Sequence, residues 1–227
     1  MDWNALKLSM WLALATATIL LPAGVLVARW LATSQHAFKP LAEAALALPL
    51  VLPPTVLGYY LLVVMGGASP LGAAYQRLTG NTLAFSFEGL LAASLIFNIP
   101  FMLMPMQRAF EAIPPELFDA ARTCGLSRGR TLWLVELPLA WPGILSGLIL
   151  TAAHTLGEFG VVLMVGGSIP GQTKTIAISI YDRVQAFDLR SAGVMSAALL
   201  GITMITLLAT SWLGRARRLP VAAAERG

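Results

Sequence analysis

Charged residues are scarce in this sequence. Asp, Glu, Lys and Arg make up only 11% of its 227 residues, whereas soluble domains contain roughly 25%. Apolar residues make up 57% of the chain, and the mean hydropathy is +0.76. No hydrophilic stretch is long enough for an independent folded domain, so a water-soluble fold is excluded. The sequence predicts an all-α membrane protein that forms a single transmembrane domain over residues 1–227.

Cysteine is almost absent as well. Cys124 is the only one, which excludes an internal disulfide and a cysteine-based metal cluster. We interpret it as a small packing residue. No second His or Cys stands at ligand spacing from His154, so no metal site is predicted.

Patterns that indicate catalysis are missing. There is no glycine-rich loop ending in Lys followed by Ser or Thr, which is the pattern that cradles nucleotide phosphates. Lys174-Thr175 is the only dipeptide of this kind, and it lacks the required glycine spacing. The basic residues form no stripe with interleaved aromatics, so nucleic acid is not a predicted partner. We predict no catalytic residue, no enzyme activity and no cofactor in this chain.

The dominant feature of the sequence is a set of long windows without charged residues. Five of them reach the roughly 17–25 residues that a helix needs to cross a bilayer. The first has no small-residue cleavage site, and we interpret it as a retained span. Segment 176–180 is too short to cross and is expected at the membrane interface. The predicted spans are about 8–29, 45–65, 89–109, 138–163 and 191–213.

The basic residues predict the orientation of these spans. With five spans the two termini lie on opposite sides, and the side with more Lys and Arg is cytoplasmic. One side receives Arg29, Lys39, Arg108, Arg122, Arg128, Arg130, Arg215, Arg217, Arg218 and Arg226, and the other receives Lys7, Arg77, Lys174, Arg183 and Arg190. This distribution predicts a periplasmic N-terminus and a cytoplasmic C-terminus. The trio Arg215, Arg217 and Arg218 is interpreted as a cytoplasmic anchor.

The longest cytoplasmic segment is the loop 111–137 between the third and fourth spans. Pro115 suits the first position of a helix, and Glu116 is an acid in its first turn. Gly125 suits the residue just past the end of that helix. Ser127 is then placed to cap a second short helix that leads into the fourth span. Two short helices joined by a glycine turn are therefore predicted here.

The same loop resembles the coupling motif of bacterial ABC importer permeases, Glu-Ala-Ala-x3-Gly-x9-Ile-x-Leu-Pro. In this sequence Asp replaces the Glu and Val replaces the Ile, and both changes keep charge and shape. The matching residues are Asp119, Ala120, Ala121, Gly125, Val135, Leu137 and Pro138. The resemblance implies that this coupling loop, including Glu116, docks into a groove on a separate ATPase subunit.

Two further segments, 47–58 and 154–171, resemble the molybdate and sulfate branch of these permeases. The resemblance implies a type I ABC importer permease fold in the bacterial inner membrane. It also implies a homodimer surrounded by lipid, two ABC ATPase subunits that bind ATP and Mg²⁺, and a periplasmic oxyanion-binding protein. Molybdate is the expected substrate, with sulfate and tungstate as alternatives. A partner-independent secondary transporter is a further alternative, but it would be expected to show internal repeats and several buried ion-coupling acids.

Polar and helix-breaking residues inside the spans suggest a translocation path. Pro53 and Pro54 remove helix hydrogen bonds, and Thr55 is placed to satisfy freed carbonyls. A kinked or broken second span is predicted, either as part of the path or as a packing kink. Glu158 is the one acid within an apolar stretch, with His154 four residues earlier on the same helical face. Because an acid repels a divalent oxyanion, we expect Glu158 to have a structural or gating role rather than direct substrate contact.

Overall fold

The computed structural model describes the backbone of residues 1–216 and the side chains of residues 1–208. This part of the chain is helical and contains no strand. Arg217, Arg218 and Arg226, together with the side chain of Arg215, lie outside the described residues. The helices are α1 Trp3–Thr33, α2 Lys39–Val51, α3 Pro54–Met65, α4 Pro70–Thr79, α5 Phe87–Glu111, α6 Pro115–Thr123, α7 Arg128–Thr131, a π-helix Leu132–Glu136, α8 Leu137–Gly157, α9 Gly160–Gly166, α10 Ile176–Gln185 and α11 Leu189–Ala216.

Four helical segments are long and apolar enough to cross a membrane: α1, α5, the run Arg128–Gly157, and α11 over Leu189–Leu208. A fifth span forms if α2 and α3 are taken as one bent pair, with 107° between them. The predicted all-α fold is therefore confirmed, with four spans, or five if the bent pair is counted as one. The short helix α10 lies beside α11 and the start of α1, where Ser179 donates a hydrogen bond to Asp2.

Helices α1, α5 and α8 form the centre of the bundle, with α5 packed against both of the others. Their shared core contains small residues beside large ones, including Ala17, Ala28, Met102 and Met106. Helix α8 approaches α5 so closely that a Cβ on Gly147 would lie 2.6 Å from the carbonyl oxygen of Met102. Such small-residue contacts let membrane helices pack backbone to backbone. The main bundle therefore depends on glycine and alanine at its crossing points.

The second span bends at Leu52, which has extended backbone angles between α2 and α3. Pro53 and Pro54 follow this residue, and neither has an N–H for a helical hydrogen bond. The sequence predicted that Thr55 would satisfy the freed carbonyls. Thr55 is instead exposed and donates no hydrogen bond within the described residues, so that part of the prediction is wrong.

The fourth span also breaks, which the sequence analysis did not predict. A continuous helix was expected over 138–163, yet α8 ends at Gly157 and Glu158 has extended angles of φ −68° and ψ 131°. A new helix, α9, begins at Gly160. Gly157 and Gly160 flank the break, and glycine is a weak helix former. Helix α9 then packs against α3, where a Cβ on Gly58 would lie 3.2 Å from Val161 Cα. The two broken spans thus meet each other in the bundle.

Candidate functional site: the coupling loop and an intramembrane cavity

The coupling loop folds into the two predicted short helices. Helix α6 begins at Pro115, and Gly125 follows its end with φ +72°. The N–H of Leu126 donates to the carbonyl of Ala121, and the N–H of Gly125 donates to that of Arg122. This pair of hydrogen bonds is the Schellman arrangement, whose left-handed position favours glycine. The hydroxyl of Ser127 then accepts a hydrogen bond from the N–H of Arg130 and caps α7.

Most coupling-motif residues lie on the outer surface of this loop. Glu116, Asp119 and Ala120 are exposed, whereas Ala121 is 5% exposed and anchors α6 to the bundle. Cys124 is exposed, so its predicted packing role is wrong. It follows the end of α6 on the outer surface, where no neighbouring helix covers it. Of the remaining motif residues, Gly125 and Pro138 are exposed and Leu137 is half-buried.

A continuous helix joins the C-terminal half of the coupling loop to the fourth span. Helix α7, the π-helix and α8 follow one another without a break over Arg128–Gly157, which is 30 residues. At 1.5 Å per residue this continuous segment is about 45 Å long. Its far end is the break at Glu158. One continuous helical segment therefore runs from the coupling loop to the level of that break.

An ion pair that sequence reasoning missed lies at the base of the loop. Arg29 of α1 donates from Nη2 to Oε1 of Glu136 over 2.7 Å and from Nε to Oε2 over 2.5 Å. Glu136 is only 1% exposed. The sequence analysis used Arg29 only as a topology marker and Glu136 only as part of a loop. The available signal was a lone acid next to the apolar start of the fourth span, although its partner is 107 positions away.

Both helix breaks face one cavity. Its volume is about 450 Å³. Gly160 at the start of α9 and Pro54 at the start of α3 contact each other in its wall. Among the predicted path residues, Pro54 and Glu158 line the cavity, whereas Pro53 and Thr55 do not. The lining residues are Pro54, Phe97, Ala153, His154, Gly157, Glu158, Phe159 and Gly160.

Glu158 is buried in the wall of this cavity and is only 5% exposed. Neither of its carboxylate oxygens has a hydrogen-bond partner within the described residues. Buried polar groups in native proteins are almost always paired, and the exceptions often lie at functional sites. Glu158 therefore takes no part in the hydrogen bonds among the buried polar groups of the bundle. It lies where the cavity meets the break in the fourth span.

His154 lines the same cavity but belongs to a different set of contacts. Its Nδ1 lies 3.0 Å from the amide oxygen of Asn98, and its ring stacks on Phe101 with 3.7 Å between centroids. Asn98 in turn donates to Ser94, which accepts a further hydrogen bond from Thr16. This buried polar chain joins α1, α5 and α8. His154 is therefore held by the helix core rather than by Glu158.

Within the described residues, no group of three or more His, Cys, Asp or Glu side chains is arranged to hold a metal ion.

The architecture is that of a polytopic membrane protein with broken spans and an exposed two-helix loop. Residues 20–218 match the family described as binding-protein-dependent transport system inner membrane component. The chain belongs to this family. The sequence-based recognition of an ABC importer permease is thereby confirmed, and so is its placement in the inner membrane as a multi-pass protein.

Two molybdenum permease proteins of nearly the same length are similar to this chain. The chain is 43% identical to the molybdenum transport system permease protein ModB of Azotobacter vinelandii, over 92% of both chains. It is 36% identical to ModB of Escherichia coli (strain K12), over 96% of this chain and 95% of that one. A probable sulfate transport system permease protein of Chlorokybus atmophyticus is 29% identical over 84% of this chain and 66% of its own length.

Solved structures support the same fold. The chain superposes on a bacterial ABC transporter involved in alginate import with a TM-score of 0.72, at 15% identity and over 96% of this chain and 79% of that one. An amino acid ABC transporter structure gives a TM-score of 0.62 at 17% identity, over 94% and 92% of the two chains. The type I ABC importer permease fold expected from the sequence is confirmed.

Proposed function

We propose that this chain is the permease subunit of an ATP-driven importer that carries molybdate across the inner membrane. The observation that carries the proposal is the coupling loop, in which most motif residues are exposed on a helix pair at the end of a continuous membrane helix. The similarity to ModB proteins over nearly the whole chain supports molybdate as the substrate.

In this proposal two copies of the chain form the pore, and two ATPase subunits dock on the two coupling loops. Glu116, Asp119 and Ala120 provide the contact surface, and the turn at Gly125 sets the angle between α6 and α7. Leu137 and Pro138 start the helix that carries the movement into the membrane. ATP and Mg²⁺ are bound by the ATPase subunits, and this chain needs no cofactor of its own.

The path for the anion runs beside the two helix breaks. Irregular backbone at membrane depth is tolerated where it is buried in protein or lines a water-filled cavity, and the cavity at Pro54 and Glu158 fits this condition. Pro53 and Thr55 are exposed beside it. Glu158 stands at the end of α8, so we assign it to gating: movement of α8 changes the width of the path at this residue.

A periplasmic oxyanion-binding protein delivers the anion from the side of the N-terminus. The excess of Lys and Arg on the coupling-loop side supports a cytoplasmic C-terminus and a periplasmic N-terminus. The alginate importer was also solved in complex with a periplasmic protein that carries its substrate. Selection among molybdate, tungstate and sulfate is assigned to the binding protein.

Uptake measurements test this function. Membrane vesicles that contain the chain, its binding protein and the ATPase should accumulate radiolabelled molybdate in an ATP-dependent manner, and an excess of unlabelled sulfate should compete weakly. Uptake without any ATPase would indicate a secondary transporter. Preferential uptake of sulfate would assign the chain to the sulfate transporters instead. Nucleotide binding by the purified chain alone would contradict the assignment of ATP to a partner.

A further inference from the structure

The ion pair between Arg29 and Glu136 is the most enclosed charge contact at the cytoplasmic end of the bundle. Glu136 is 1% exposed and the side chain of Arg29 is 30% exposed. Both nitrogens of the guanidinium fork that face Glu136 donate to its two oxygens. A two-point contact of this kind fixes the relative orientation of its partners as well as their distance. It therefore specifies how α1 is placed against the base of the coupling loop.

The two residues connect the end of α1 to the base of the coupling loop, beside the direct packing of α1 against α8. A cavity of about 700 Å³ lies between the end of α1 and the coupling loop. Trp30 and Thr33 line it from α1, and Phe118 and Arg128 line it from the loop. Arg29 and Glu136 also line this cavity, and their side chains are hydrogen-bonded to each other. The ion pair is thus a direct polar contact between the end of α1 and the segment that follows the loop.

The position of Glu136 depends on the π-helix. In this segment the N–H of Leu137 donates to the carbonyl of Leu132, five residues earlier. The additional residue in this turn shifts the helix face by about 100° relative to an uninterrupted α-helix. Trp133 and Leu134 are 72% and 59% exposed, whereas Glu136 faces inward. π-helical turns are rare and are frequently found at functional sites, and this one directs an acid towards Arg29 of α1.

We propose that Arg29 and Glu136 are positioning residues that make α1 move together with α8 when the coupling loop is displaced. The inference rests on the proposed function, since it names how the movement is distributed among the spans. Helix α8 follows the loop through continuous backbone, but α1 has no such connection. The ion pair adds a two-point polar connection to the direct packing of α1 against α8, so that the end of α1 follows the base of the loop through the transport cycle.

Two variants test the pair without adding volume to the core. Glu136→Gln removes the charge and keeps the shape, and Arg29→Lys keeps the charge but loses the two-point fork. Both variants should still co-purify with the ATPase, because the outer surface of α6 is unchanged. Molybdate imported per ATP hydrolysed should fall by about tenfold, which is within the range of coupling energies between sites. Lys174→Gln is the matched control, since it breaks the Lys174–Asp182 pair beside α10, and its uptake per ATP should stay normal.

A distance measurement separates this role from general stability. The exposed Cys124 in the coupling loop and a Thr33→Cys substitution at the end of α1 can carry a pair of spin labels. With Arg29 and Glu136 intact, the distance between the labels should stay the same in nucleotide-free and ATP-trapped states. With Glu136→Gln the distribution of label distances should broaden, or its mean should shift, between the nucleotide-free and ATP-trapped states. Unchanged distances together with normal uptake per ATP in both variants would overturn the proposal.

The same labels distinguish failure of this inference from failure of the proposed function. If the unmodified chain binds no ATPase, the proposed function fails. The label distances of the isolated chain still decide whether the pair holds α1 to the loop: a distribution that Glu136→Gln leaves unchanged rejects the role of the pair, and a broadened distribution supports it.

Discussion

Gly160 lies against Pro54, and a Cβ on Gly160 would stand 2.8 Å from the Cβ of Pro54. Real Cβ atoms do not approach a neighbouring ring this closely, so only glycine fits without a shift of the backbone. The contact joins the start of α9 to the start of α3. The close approach of the two helix breaks therefore requires glycine at position 160.

Replacing Gly160 by Ala should separate these two helix starts. Overpacking of this kind costs about 1–3 kcal/mol, because the proline ring cannot rotate away. We expect a lower melting temperature of the purified chain in detergent, together with reduced uptake. Gly157→Ala is the control, since a Cβ there meets nothing within 4 Å. Equal melting temperatures for the two variants would show that the contact is not tight.

Replacing Glu158 by Gln should change the rate of transport without preventing assembly. The side chain keeps its shape in the cavity wall, but the buried carboxylate that lacks a partner is removed. A functional acid inside a membrane protein is expected to influence the path it lines. The measurement is uptake by assembled complexes, with Glu88→Gln at the start of α5 as the control. Wild-type uptake by the Glu158→Gln variant would leave only a packing role for this residue.

The orientation of the chain can be tested with reporter fusions. Ten of the Lys and Arg residues lie on the side of the coupling loop and C-terminus, so this side is expected to face the cytoplasm. A fusion after Arg218 should give activity with a cytoplasmic reporter and none with a periplasmic one. The opposite pattern would place the coupling loop outside the cell, where no ATPase could reach it.

Local features of the fold were predictable from the sequence because they depend on neighbouring residues. Pro115, Gly125 and Ser127 mark the starts and ends of the two loop helices by their own backbone preferences, and the structure has them in those positions. The five apolar windows are equally local, since each must satisfy its own backbone hydrogen bonds in lipid. Patterns of this kind need no knowledge of the tertiary structure.

Features that depend on distant contacts were not predictable. The partner of Glu136 is residue Arg29 of another span. The break at Glu158 is not marked by a proline, since Pro142 lies well inside α8, and it accompanies the packing of α9 on α3. Cys124 is exposed because no neighbouring helix covers the end of α6, and composition alone suggested the opposite. In each case a second element decides the outcome.

Replacing Gly125 by Val should uncouple the chain from its ATPase. Gly125 has φ +72°, which a β-branched residue strongly resists. The Schellman turn that joins α6 to α7 should therefore rearrange and change the direction of one helix relative to the other. All five spans lie outside this turn, so insertion into the membrane should be normal. A loss of about 3 kcal/mol in association would lower the affinity for the ATPase by roughly two orders of magnitude.

Co-purification of the tagged Gly125→Val chain with the ATPase, together with uptake in vesicles, provides the measurement. Gly129→Ala is the matched control, because Gly129 lies in α7 of the same loop and a Cβ there meets nothing within 4 Å. The control should bind the ATPase and transport normally. If the Gly125→Val chain does the same, the loop only connects two spans. The assignment of ATPase docking to this loop would then lose its structural basis, because the turn at Gly125 is what sets the shape of the proposed contact surface.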